Sequence, residues 1–463
     1  MSGRIALRGL SSCAGEVTLP GSKSIANRAL LMAALCSNSD SNSGSHSGSA
    51  PAVTRVTNLL RSDDTERMLE ALTALGVRIE LDANDPSQVT VHGCGGDWPY
   101  WQANPTATLE LFLGNAGTAV RPLTAVLAAT VPATAAVVIA GDARMHERPL
   151  AALTDTLQAG HASIKFLQQP GYPPLRLGAG LCGGSLQVDG SASSQYISAL
   201  LMALPLLADD TLLELTGEVV SWPYIELTLA MLRRFGITIA QVSAHEFFIA
   251  GGQRYQSPQQ YWVEGDASAA SYWLAAAAIS GGPLTVKGVG ADSIQGDIAF
   301  ADYLAQMGAE VDIQPQQIRV SRQLSEPLQA LDADLNAIPD AAMTFATLAL
   351  FAEGTTNIRN IANWRIKETD RLHAMATELR KVGAQVVEHA DGIEITAPAQ
   401  LQHAEIATYD DHRMAMCFSL LGFSASGVTI LDPDCCRKTY PRYFEDFCAV
   451  TQTSSKVHRK FTE

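Results

Sequence analysis

Strongly apolar stretches recur along the chain, and each follows a short cluster of small or polar residues. Their composition predicts helices buried on all sides. The aligned positions in successive stretches are Arg28, Val120, Tyr196, Ala270, Ala342 and Arg413. Because neighbouring positions are separated by roughly 70 to 90 residues, the pattern indicates six repeats of similar length.

A second series consists of helix candidates that each end at a glycine before a strand-like run. The segments are 68–75, 153–159, 231–235, 303–307 and 376–382, followed by Gly76, Gly160, Gly236, Gly308 and Gly383. A glycine at this place predicts a left-handed helix C-cap. Tyr443–Val450 is predicted as a further helix of this kind without the glycine. Each repeat therefore predicts a buried helix, a strand, an amphipathic helix and further strand, which is typical of a layered α/β domain.

Length and charge narrow the class of protein. A chain of 463 residues is too long for one ordinary core, so we expect two domains. The net charge of −15 argues against general nucleic-acid binding and against binding to an anionic membrane surface. Any bound anion must be held by local positive charge, for which helix N-termini are suited.

The chain carries no pattern of a secreted or membrane protein. Its eight cysteines show no Cys-x-x-Cys spacing, so we expect reduced thiols and a cytoplasmic location. The N-terminus lacks the features of a signal peptide, and the most apolar run, 124–140, is interrupted by Pro132. A Ser/Gly/Asn-rich insert at 37–50 is predicted to be an exposed flexible loop.

The densest polar cluster is the stretch 363–371, which begins with Asn363. If the segment from Lys367 is helical, Lys367 and Arg371 lie one turn apart, and Glu368 lies within reach of Arg371. Two cations in this arrangement predict an anion between them, with Glu368 as a carboxyl group able to exchange a proton. A solvated, ion-paired helix start is the alternative.

The start of the first repeat predicts a small-anion site. Lys23, Ser24 and Arg28 lie at a helix start, whereas the P-loop pattern fails because Ser22 separates Gly21 from Lys23. A capping serine beside surface cations is the alternative reading of this cluster.

Further candidates follow the same logic, each with a structural alternative. Gly117 would allow a ligand close to the backbone, or would form a tight turn. Arg144 and Arg148 flank Glu147 as a cation pair or an exposed ion-pair cluster. Asp340 would cap an apolar helix or take a proton from a substrate hydroxyl. The remaining candidates are the neutral groups Ser193, Ser194, Gln195, Ser221 and Tyr224, the helix-start pair His412 and Arg413, and Lys438.

In this order the motifs resemble those of the bacterial enolpyruvylshikimate-phosphate synthases over nearly the whole chain. The resemblance is carried by Leu-Pro-Gly-Ser-Lys-Ser at 19–24, Gly-Asn-Ala-Gly-Thr-Ala-Val-Arg-Pro at 114–122, Ser-Ser-Gln at 193–195, Asn-Trp-Arg-Ile-Lys-Glu-Thr-Asp-Arg at 363–371 and Asp-His-Arg-Met-Ala at 411–415. It implies an α/β fold of two similar domains, each of three βαβαββ-type repeats around buried helices, with the active site in the interdomain cleft. Residues 1–22 and 266–463 would form domain I, and residues 23–265 would form domain II.

The family reaction would transfer the enolpyruvyl group of phosphoenolpyruvate to the 5-hydroxyl of shikimate 3-phosphate through a tetrahedral intermediate, with release of phosphate. The implied ligands of shikimate 3-phosphate are Lys23, Ser24, Arg28, Ser193, Ser194, Ser221, Tyr224, Asp340, Asn363 and Lys367. Those of phosphoenolpyruvate are Lys23, Gly117, Arg144, Gln195, Arg371, Arg413 and Lys438. Asp340 would be the base and Glu368 the proton donor, with Lys23 sharing either task. The resemblance implies no metal or organic cofactor, a monomer, and inhibition by glyphosate.

Two other functions stay open at this stage. An enolpyruvyl transferase acting on UDP-N-acetylglucosamine would share the architecture, but that family has a reactive cysteine in the loop matching 141–149, and this loop has none. A non-catalytic anion-binding repeat protein would need the cations but not both Asp340 and Glu368.

Overall fold

The computed structural model of the chain describes residues 3–37 and 52–453. The chain forms two compact units: unit 1 consists of Met1–Pro20 with Glu264–Glu463, and unit 2 of Gly21–Val263. The predicted flexible insert at 37–50 lies outside the described residues from position 38 onward. Across the described ranges, no helix combines the length and the hydropathy that a bilayer crossing requires.

The α-helices, numbered along the chain, include both predicted series. They are α1 Lys23–Leu35, α2 Asp63–Ala74, α3 Pro99–Ala103, α4 Gly117–Thr130, α5 Ala151–Ala159, α6 Ser194–Ala203, α7 Pro223–Arg234, α8 Ala267–Ser280, α9 Phe300–Gln306, α10 Ala342–Leu348, α11 Arg371–Lys381, α12 His412–Ser419 and α13 Tyr443–Val450. The predicted buried helices are α1, α4, α6, α8, α10 and α12, and all six are confirmed. The helix predicted at Tyr443–Val450 is also confirmed.

The strands are short and are numbered in the same way. They are β1 Arg4–Leu7, β2 Leu10–Cys13, β3 Gly15–Thr18, β4 Val53–Thr57, β5 Arg78–Leu81, β6 Val89–His92, β7 Thr108–Phe112, β8 Ala136–Ala140, β9 Ile164–Phe166, β10 Leu175–Leu177, β11 Gly184–Asp189, β12 Thr211–Thr216, β13 Ala240–Ser243, β14 Glu246–Ile249, β15 Gln260–Trp262, β16 Leu284–Lys287, β17 Glu310–Gln314, β18 Gln317–Ser321, β19 Leu328–Gln329, β20 Asp332–Asp334, β21 Ala352–Glu353, β22 Thr355–Arg359, β23 Gln385–Glu388, β24 Ile393–Thr396, β25 Glu405–Ile406, β26 Val428–Leu431 and β27 Thr451–Thr453.

Unit 2 repeats one sheet topology. Its four-stranded sheets have the orders β15-β4-β6-β5, β7-β8-β10-β9 and β11-β12-β14-β13. In each sheet the first two strands are parallel and the others are added antiparallel. The helix between the parallel strands β7 and β8 is α4, and the helix between β11 and β12 is α6. The predicted repeat is therefore a βαβ crossover followed by an antiparallel pair.

Unit 1 has the same plan. Two four-stranded sheets have the orders β17-β18-β16-β3 and β20-β22-β24-β23, and a three-stranded sheet has the order β1-β26-β25. The parallel pairs are β3 with β16, β20 with β22 and β25 with β26. The last sheet takes β1 from the N-terminus as its antiparallel strand.

The chain passes from one unit to the other twice, and each time a strand in a sheet of one unit leads into a helix of the other. Strand β3 belongs to a sheet of unit 1, and the next helix, α1, belongs to unit 2. Strand β15 belongs to a sheet of unit 2, and the next helix, α8, belongs to unit 1. In the two successions β3-α1-β4 and β15-α8-β16, the strands before and after the helix therefore belong to different sheets and to different units.

The buried helices form the cores of the units. In unit 1, α8 is rich in alanine and buried over nearly its whole length, so other elements pack closely around it. Trp273 on α8 lies against Tyr443 and Phe447, with ring centroids 5.7 and 5.8 Å apart. The middle of α8 is thereby held by a rigid aromatic core.

The predicted glycine caps are confirmed at four of the five positions. Gly76, Gly236, Gly308 and Gly383 have positive φ angles. The prediction is wrong for Gly160, whose φ is −81°, because the chain turns one residue later, at His161 with a φ of 70°.

Candidate active site

The stretch 363–371 does not form one continuous helix. A 3₁₀-helix covers Ala362–Ile366, Lys367 is extended with φ −84° and ψ −150°, and α11 begins only at Arg371. The helix starts there because Asp370 caps it, its carboxylate accepting a hydrogen bond from the His373 amide at 3.1 Å. The condition considered from the sequence, a helix that starts at Lys367, is therefore not met.

Arg371 is the centre of this cluster, and its side chain is only 1% exposed. Its guanidinium reaches three carboxylates: Nε lies 2.7 Å from Asp411, Nη1 lies 2.9 Å from Asp340, and Nη2 lies 2.7 Å from Glu368. The predicted contact between Glu368 and Arg371 is confirmed. Burial opposes the charge of Arg371, but the three carboxylates outweigh it and raise its pKa.

Asp340 is the anion that lies between the cations of unit 1. Its carboxylate lies 2.8 Å from Nη2 of Arg413 and 3.6 Å from Nζ of Lys367, in addition to its contact with Arg371. Burial favours its neutral form, yet the charges of Arg413, Lys367 and Arg371 outweigh this effect and hold the pKa of Asp340 well below its usual range. Burial also lowers the pKa of Lys367.

The structure does not give Asp340 the predicted capping role. Helix α10 begins at Ala342, and its cap residue Ala341 makes no side-chain cap bond. The side chain of Asp340 is instead taken up by the ion pairs. Trp364 fixes the backbone beside it, because its indole nitrogen donates to the carbonyl of Pro339 at 2.7 Å.

Two groups of this cluster were not assigned a role from the sequence. Asp411 caps α12 by accepting from the Arg413 amide at 2.9 Å while it binds Arg371. Its position just before Arg413 is a signal that could have identified it. Tyr272 places its hydroxyl 3.1 Å from Nη1 of Arg413, and burial raises its pKa well above the usual value. It lies within an apolar helix where the sequence gives no such signal.

Asn363 and Lys438 also belong to unit 1. Asn363 is buried in the 3₁₀-helix Ala362–Ile366, and Lys438 is buried at the end of the 3₁₀-helix Pro433–Lys438. Asparagine and lysine are residue types that are seldom buried in protein cores. Their polar groups are therefore held inside by specific surroundings.

A second cluster of polar groups lies at the start of α1 in unit 2. Nζ of Lys23 lies 3.1 Å from the carboxylate of Asp64, and both side chains are largely buried. One turn further, Asn27 donates to the hydroxyl of Thr118 at 2.7 Å, which joins α1 to α4. Asp64 and Asn27 were not assigned from the sequence, since nothing in their spacing links them to Lys23 or Thr118.

Arg28 is fully enclosed in the same unit. Its Nε donates to the hydroxyl of Thr228 at 2.9 Å, and its Nη1 donates to the carbonyl of Ser24 at 3.0 Å. Burial lowers the pKa of Arg28 to about 10. Thr228 lies on α7. Tyr224 belongs to the first turn of this helix, and Ser221, which has a left-handed φ of 57°, precedes it.

The starts of α4 and α6 meet through Arg121 and Gln195. Ser193 caps α6 by accepting from the Gln195 amide at 3.2 Å, and Ser194, the next residue, is buried. Oε1 of Gln195 accepts a hydrogen bond from Nη1 of Arg121 at 3.1 Å. The guanidinium of Arg121 also lies 5.7 Å from the ring centre of Tyr196, within the range of a cation–π contact.

Gly117 lies against two arginines, Arg121 and Arg148, for which no role as ligands was predicted from the sequence. A Cβ placed there would meet the guanidinium of Arg121, and would lie 2.8 Å from Nη2 of Arg148. Arg148 is oriented by Asn115, to whose side-chain oxygen it donates at 2.9 Å. Arg144, by contrast, pairs with Glu147 at 2.7 Å, in the ion pair that was the alternative for this motif.

Comparisons with known proteins identify the family of this chain. The model of the family EPSP synthase (3-phosphoshikimate 1-carboxyvinyltransferase) matches residues 7–447. The 3-phosphoshikimate 1-carboxyvinyltransferase of Idiomarina loihiensis is 57% identical over 436 residues, which cover 94% of this chain and 96% of that protein. The enzyme of the same name from Salmonella typhi is 52% identical over 447 residues, covering 96% and 99%.

Solved structures give the same result. The EPSP synthase of Acinetobacter baumannii matches with a TM-score of 0.76 at 25% identity, covering 98% of this chain and 99% of that one. The enolpyruvyl transferase NikO of Streptomyces tendae matches in fold with a TM-score of 0.73 at 18% identity, covering 97% and 98%. The predicted family and α/β fold class are thus confirmed. This chain belongs to the EPSP synthase family.

Proposed function

We propose that this chain transfers the enolpyruvyl group of phosphoenolpyruvate to the 5-hydroxyl of shikimate 3-phosphate and releases phosphate. The observation that carries the proposal is the cluster of Arg371, Arg413 and Lys367 around the carboxylate of Asp340, with Glu368 beside it. Such a cluster supplies both cations for anionic substrates and carboxyl groups for proton transfer. A protein that only bound anions would not need the carboxyl groups.

Phosphoenolpyruvate is proposed to bind to the cations whose donors now hold carboxylates. A substrate phosphate or carboxylate presents the same kind of acceptor as Asp340, so Arg371 and Arg413 can exchange one partner for the other. The proposed ligands are Lys23, Gly117, Arg144, Gln195, Arg371, Arg413 and Lys438. Arg121 and Arg148 support the set, because they contact Gln195 and the surroundings of Gly117.

Shikimate 3-phosphate is proposed to bind through a mixed set of cations and neutral donors. The residues are Lys23, Ser24, Arg28, Ser193, Ser194, Ser221, Tyr224, Asp340, Asn363 and Lys367. Hydroxyl groups of this set suit the hydroxyls of a polyol ring, and Arg28 and Lys23 suit a phosphate. The hydrogen bond that Nε of Arg28 donates to the Thr228 hydroxyl keeps that guanidinium oriented before the ligand arrives.

The reaction needs two proton transfers in each half. In the addition, the 5-hydroxyl oxygen attacks C2 of phosphoenolpyruvate, Asp340 accepts the hydroxyl proton, and the methylene carbon C3 takes a proton from Glu368. In the elimination, the bond from C2 to the phosphate oxygen breaks, C3 returns its proton to Glu368, the proton held by Asp340 passes to the departing phosphate, and the double bond forms again. Lys23 is proposed to share either task. Cations around the adduct would stabilise the departing phosphate.

The present contacts of Asp340 make it a weak base, since three cations hold its pKa low. Turning Arg371 and Arg413 towards the substrate would remove two of these contacts and raise the pKa of Asp340 towards its usual range. Base strength would then depend on the presence of phosphoenolpyruvate.

The decisive experiment follows phosphate release from phosphoenolpyruvate with two acceptors in parallel. Release with shikimate 3-phosphate and none with UDP-N-acetylglucosamine is the expected result. Release only with the UDP-aminosugar would replace the proposed function with the other transferase, and release with neither would leave an anion-binding protein. Converting Asp340 or Glu368 to its amide must lower the rate of release by at least roughly 100-fold for the proposed mechanism to stand.

Several further properties belong to the same proposal. We expect competition between glyphosate and phosphoenolpyruvate, a monomer, a cytoplasmic location and no need for a metal or organic cofactor. Residues 1–22 with 266–463, and residues 23–265, are proposed as the two domains; the compact units support this division, since their limits lie close to these positions. Activity after exhaustive treatment with a chelator tests the expectation about metals.

A further inference from the structure

Glu378 is a carboxylate with no part in the proposed chemistry, and its side chain is 0% exposed. It lies on α11 and accepts hydrogen bonds from the Tyr409 hydroxyl at 2.7 Å and from the Ala407 amide at 3.2 Å. Its remaining partner is Lys381, one turn along the helix at 2.7 Å. An apolar side chain would be cheaper to bury at this position, so these contacts call for an explanation.

The segment that Glu378 holds leads directly into the anion-binding cluster. Tyr409 and Asp410 both have a φ of 55°, which is the left-handed region that residues other than glycine rarely adopt. Two such residues in succession are held in place only when their surroundings fix them. Immediately after them, Asp411 binds Arg371 and caps the helix that carries Arg413.

Helix α11 therefore contacts the segment 407–411 at two points. Arg371 and Glu378 are seven residues apart, which is two turns and roughly 10 Å along one face of the helix. Arg371 holds the end of the segment at Asp411, and Glu378 holds its beginning at Ala407 and Tyr409. The two contacts together determine where the segment enters α12.

We propose that Glu378, through Tyr409, is a positioning residue that sets the placement of Asp411 and Arg413 for binding of phosphoenolpyruvate. The inference rests on the proposed function, which supplies the substrate. Burial, together with the neighbouring Glu378 carboxylate, raises the pKa of Tyr409, so its hydroxyl remains a donor at working pH. The contact is thus a permanent part of the fold and does not act as a switch.

The test compares Glu378→Gln and Tyr409→Phe with the wild type. The KM of each substrate, kcat, the melting temperature and the Kd of inorganic phosphate are measured. Loss of one hydrogen bond to a charged group corresponds to roughly a ten-fold change. We expect the KM of phosphoenolpyruvate and the Kd of phosphate to rise by about that factor, while the KM of shikimate 3-phosphate changes less than about two-fold. The double variant should lose less than the sum of the two single changes, because Tyr409→Phe already removes the contact that Glu378→Gln weakens.

Lys381→Met is the matched control. It removes the other partner of Glu378 but leaves the bonds to Tyr409 and Ala407 intact, so it should lower the melting temperature without altering the ratio of the two KM values. If Glu378→Gln does not fold, Tyr409→Phe carries the test, since Tyr409 is partly exposed.

The proposal is overturned if Tyr409→Phe lowers the melting temperature to the same extent as Lys381→Met and leaves both KM and phosphate Kd unchanged. A wild type without turnover would instead remove the proposed function. In that case phosphate binding still decides the positioning role: a raised Kd in Tyr409→Phe supports it, and an unchanged Kd contradicts it.

Discussion

Oδ2 of Asp340 lies 2.8 Å from Nη2 of Arg413, so a proposed base and a proposed substrate-binding cation neutralise each other. The same carboxylate is held by Arg371 on its other oxygen. Because each guanidinium donor can serve either Asp340 or an anion, substrate binding at the proposed site would compete with an internal ion pair. The competition has measurable consequences for affinity, activity and stability.

Asp340→Asn should have opposite effects on activity and on anion binding. We expect turnover to fall by roughly 10²–10⁴-fold, the usual contribution of a general base. The Kd of inorganic phosphate should fall several-fold, because the neutral amide competes less well for the donors of Arg371 and Arg413. Isothermal titration with phosphate and a phosphate-release assay measure the two effects.

Asp332→Asn is the control for that variant. Asp332 is an exposed carboxylate paired with Arg359 on β22, so its loss changes the net charge equally without touching the cluster. Both activity and phosphate affinity should stay within about two-fold of the wild type. Weaker phosphate binding in Asp340→Asn would refute competition between the carboxylate and the ligand.

Acid should remove part of the folding stability through Asp340. Its pKa is lower in the folded protein than in the unfolded chain, so its contribution is complete above the unfolded value of about 3.9 and is lost as pH falls towards the folded value. The free energy of unfolding in urea, measured from pH 6 to pH 3, should fall less steeply below pH 4 in Asp340→Asn than in the wild type. Parallel curves would contradict the pKa shift.

Thr228→Val should weaken binding of shikimate 3-phosphate. The variant keeps the shape of the side chain but removes the oxygen that accepts from Nε of Arg28. A hydrogen bond to a charged group is worth about 1.5–3 kcal/mol, so we expect the KM of shikimate 3-phosphate to rise by roughly ten-fold or more. The KM of phosphoenolpyruvate should change little.

Thr124→Val provides a matched comparison for that change. Thr124 is also buried on a helix and bonds the carbonyl four residues earlier at 2.7 Å, as Thr228 does at 2.8 Å. It has no bond to Arg28, so only stability should change. Equal kinetic effects in the two variants would argue that buried threonines matter here for packing alone.

Gly117→Ala should discriminate between glyphosate and phosphoenolpyruvate. The added methyl group would displace the guanidinium groups of Arg121 and Arg148 and reduce the space beside them. Glyphosate has one more atom between phosphorus and its carboxylate than phosphoenolpyruvate, so the added methyl group should reduce its affinity more. We expect its inhibition constant to rise by roughly ten-fold beyond any rise in the KM of phosphoenolpyruvate.

Gly178→Ala tests whether any added methyl group has this effect. There the nearest atom to a new Cβ is the Cβ of Ser163 at 3.3 Å. Gly178 directly follows β10, and Ser163 directly precedes β9, its partner strand in the same unit. This variant should leave the ratio of the two constants unchanged. An equal weakening of inhibitor and substrate in Gly117→Ala would contradict the proposed place of glyphosate.

The periodic features of the chain could be predicted from the sequence because they depend on local composition. The six buried helices and the helix at Tyr443–Val450 follow from apolar runs and spacing, and both were confirmed. Gly160 shows the limit of this reasoning: a glycine after a helix permits a left-handed turn, but here His161 adopts it. The choice depends on contacts that local composition does not record.

Partners distant in sequence could not be predicted. Lys367 and Arg371 were expected to face an anion. In the structure the anion is a side chain of the protein, Asp340, and only the tertiary fold brings it to them. Capping of α10 failed as a prediction for the same reason, since ion pairs outweigh a helix cap for that carboxylate. Tyr272 and Thr228 likewise became visible only through their contacts with Arg413 and Arg28.

The double passage of the chain between the units also affects the order in which a nascent chain can fold. Strand β1 pairs with β26, and β3 pairs with β16, so these first-synthesised segments must wait for partners made much later. All sheets of unit 2 are complete once β15 has emerged from the ribosome. Unit 2 can therefore fold during translation, whereas unit 1 must keep its earliest strands from aggregating until the C-terminal half is made.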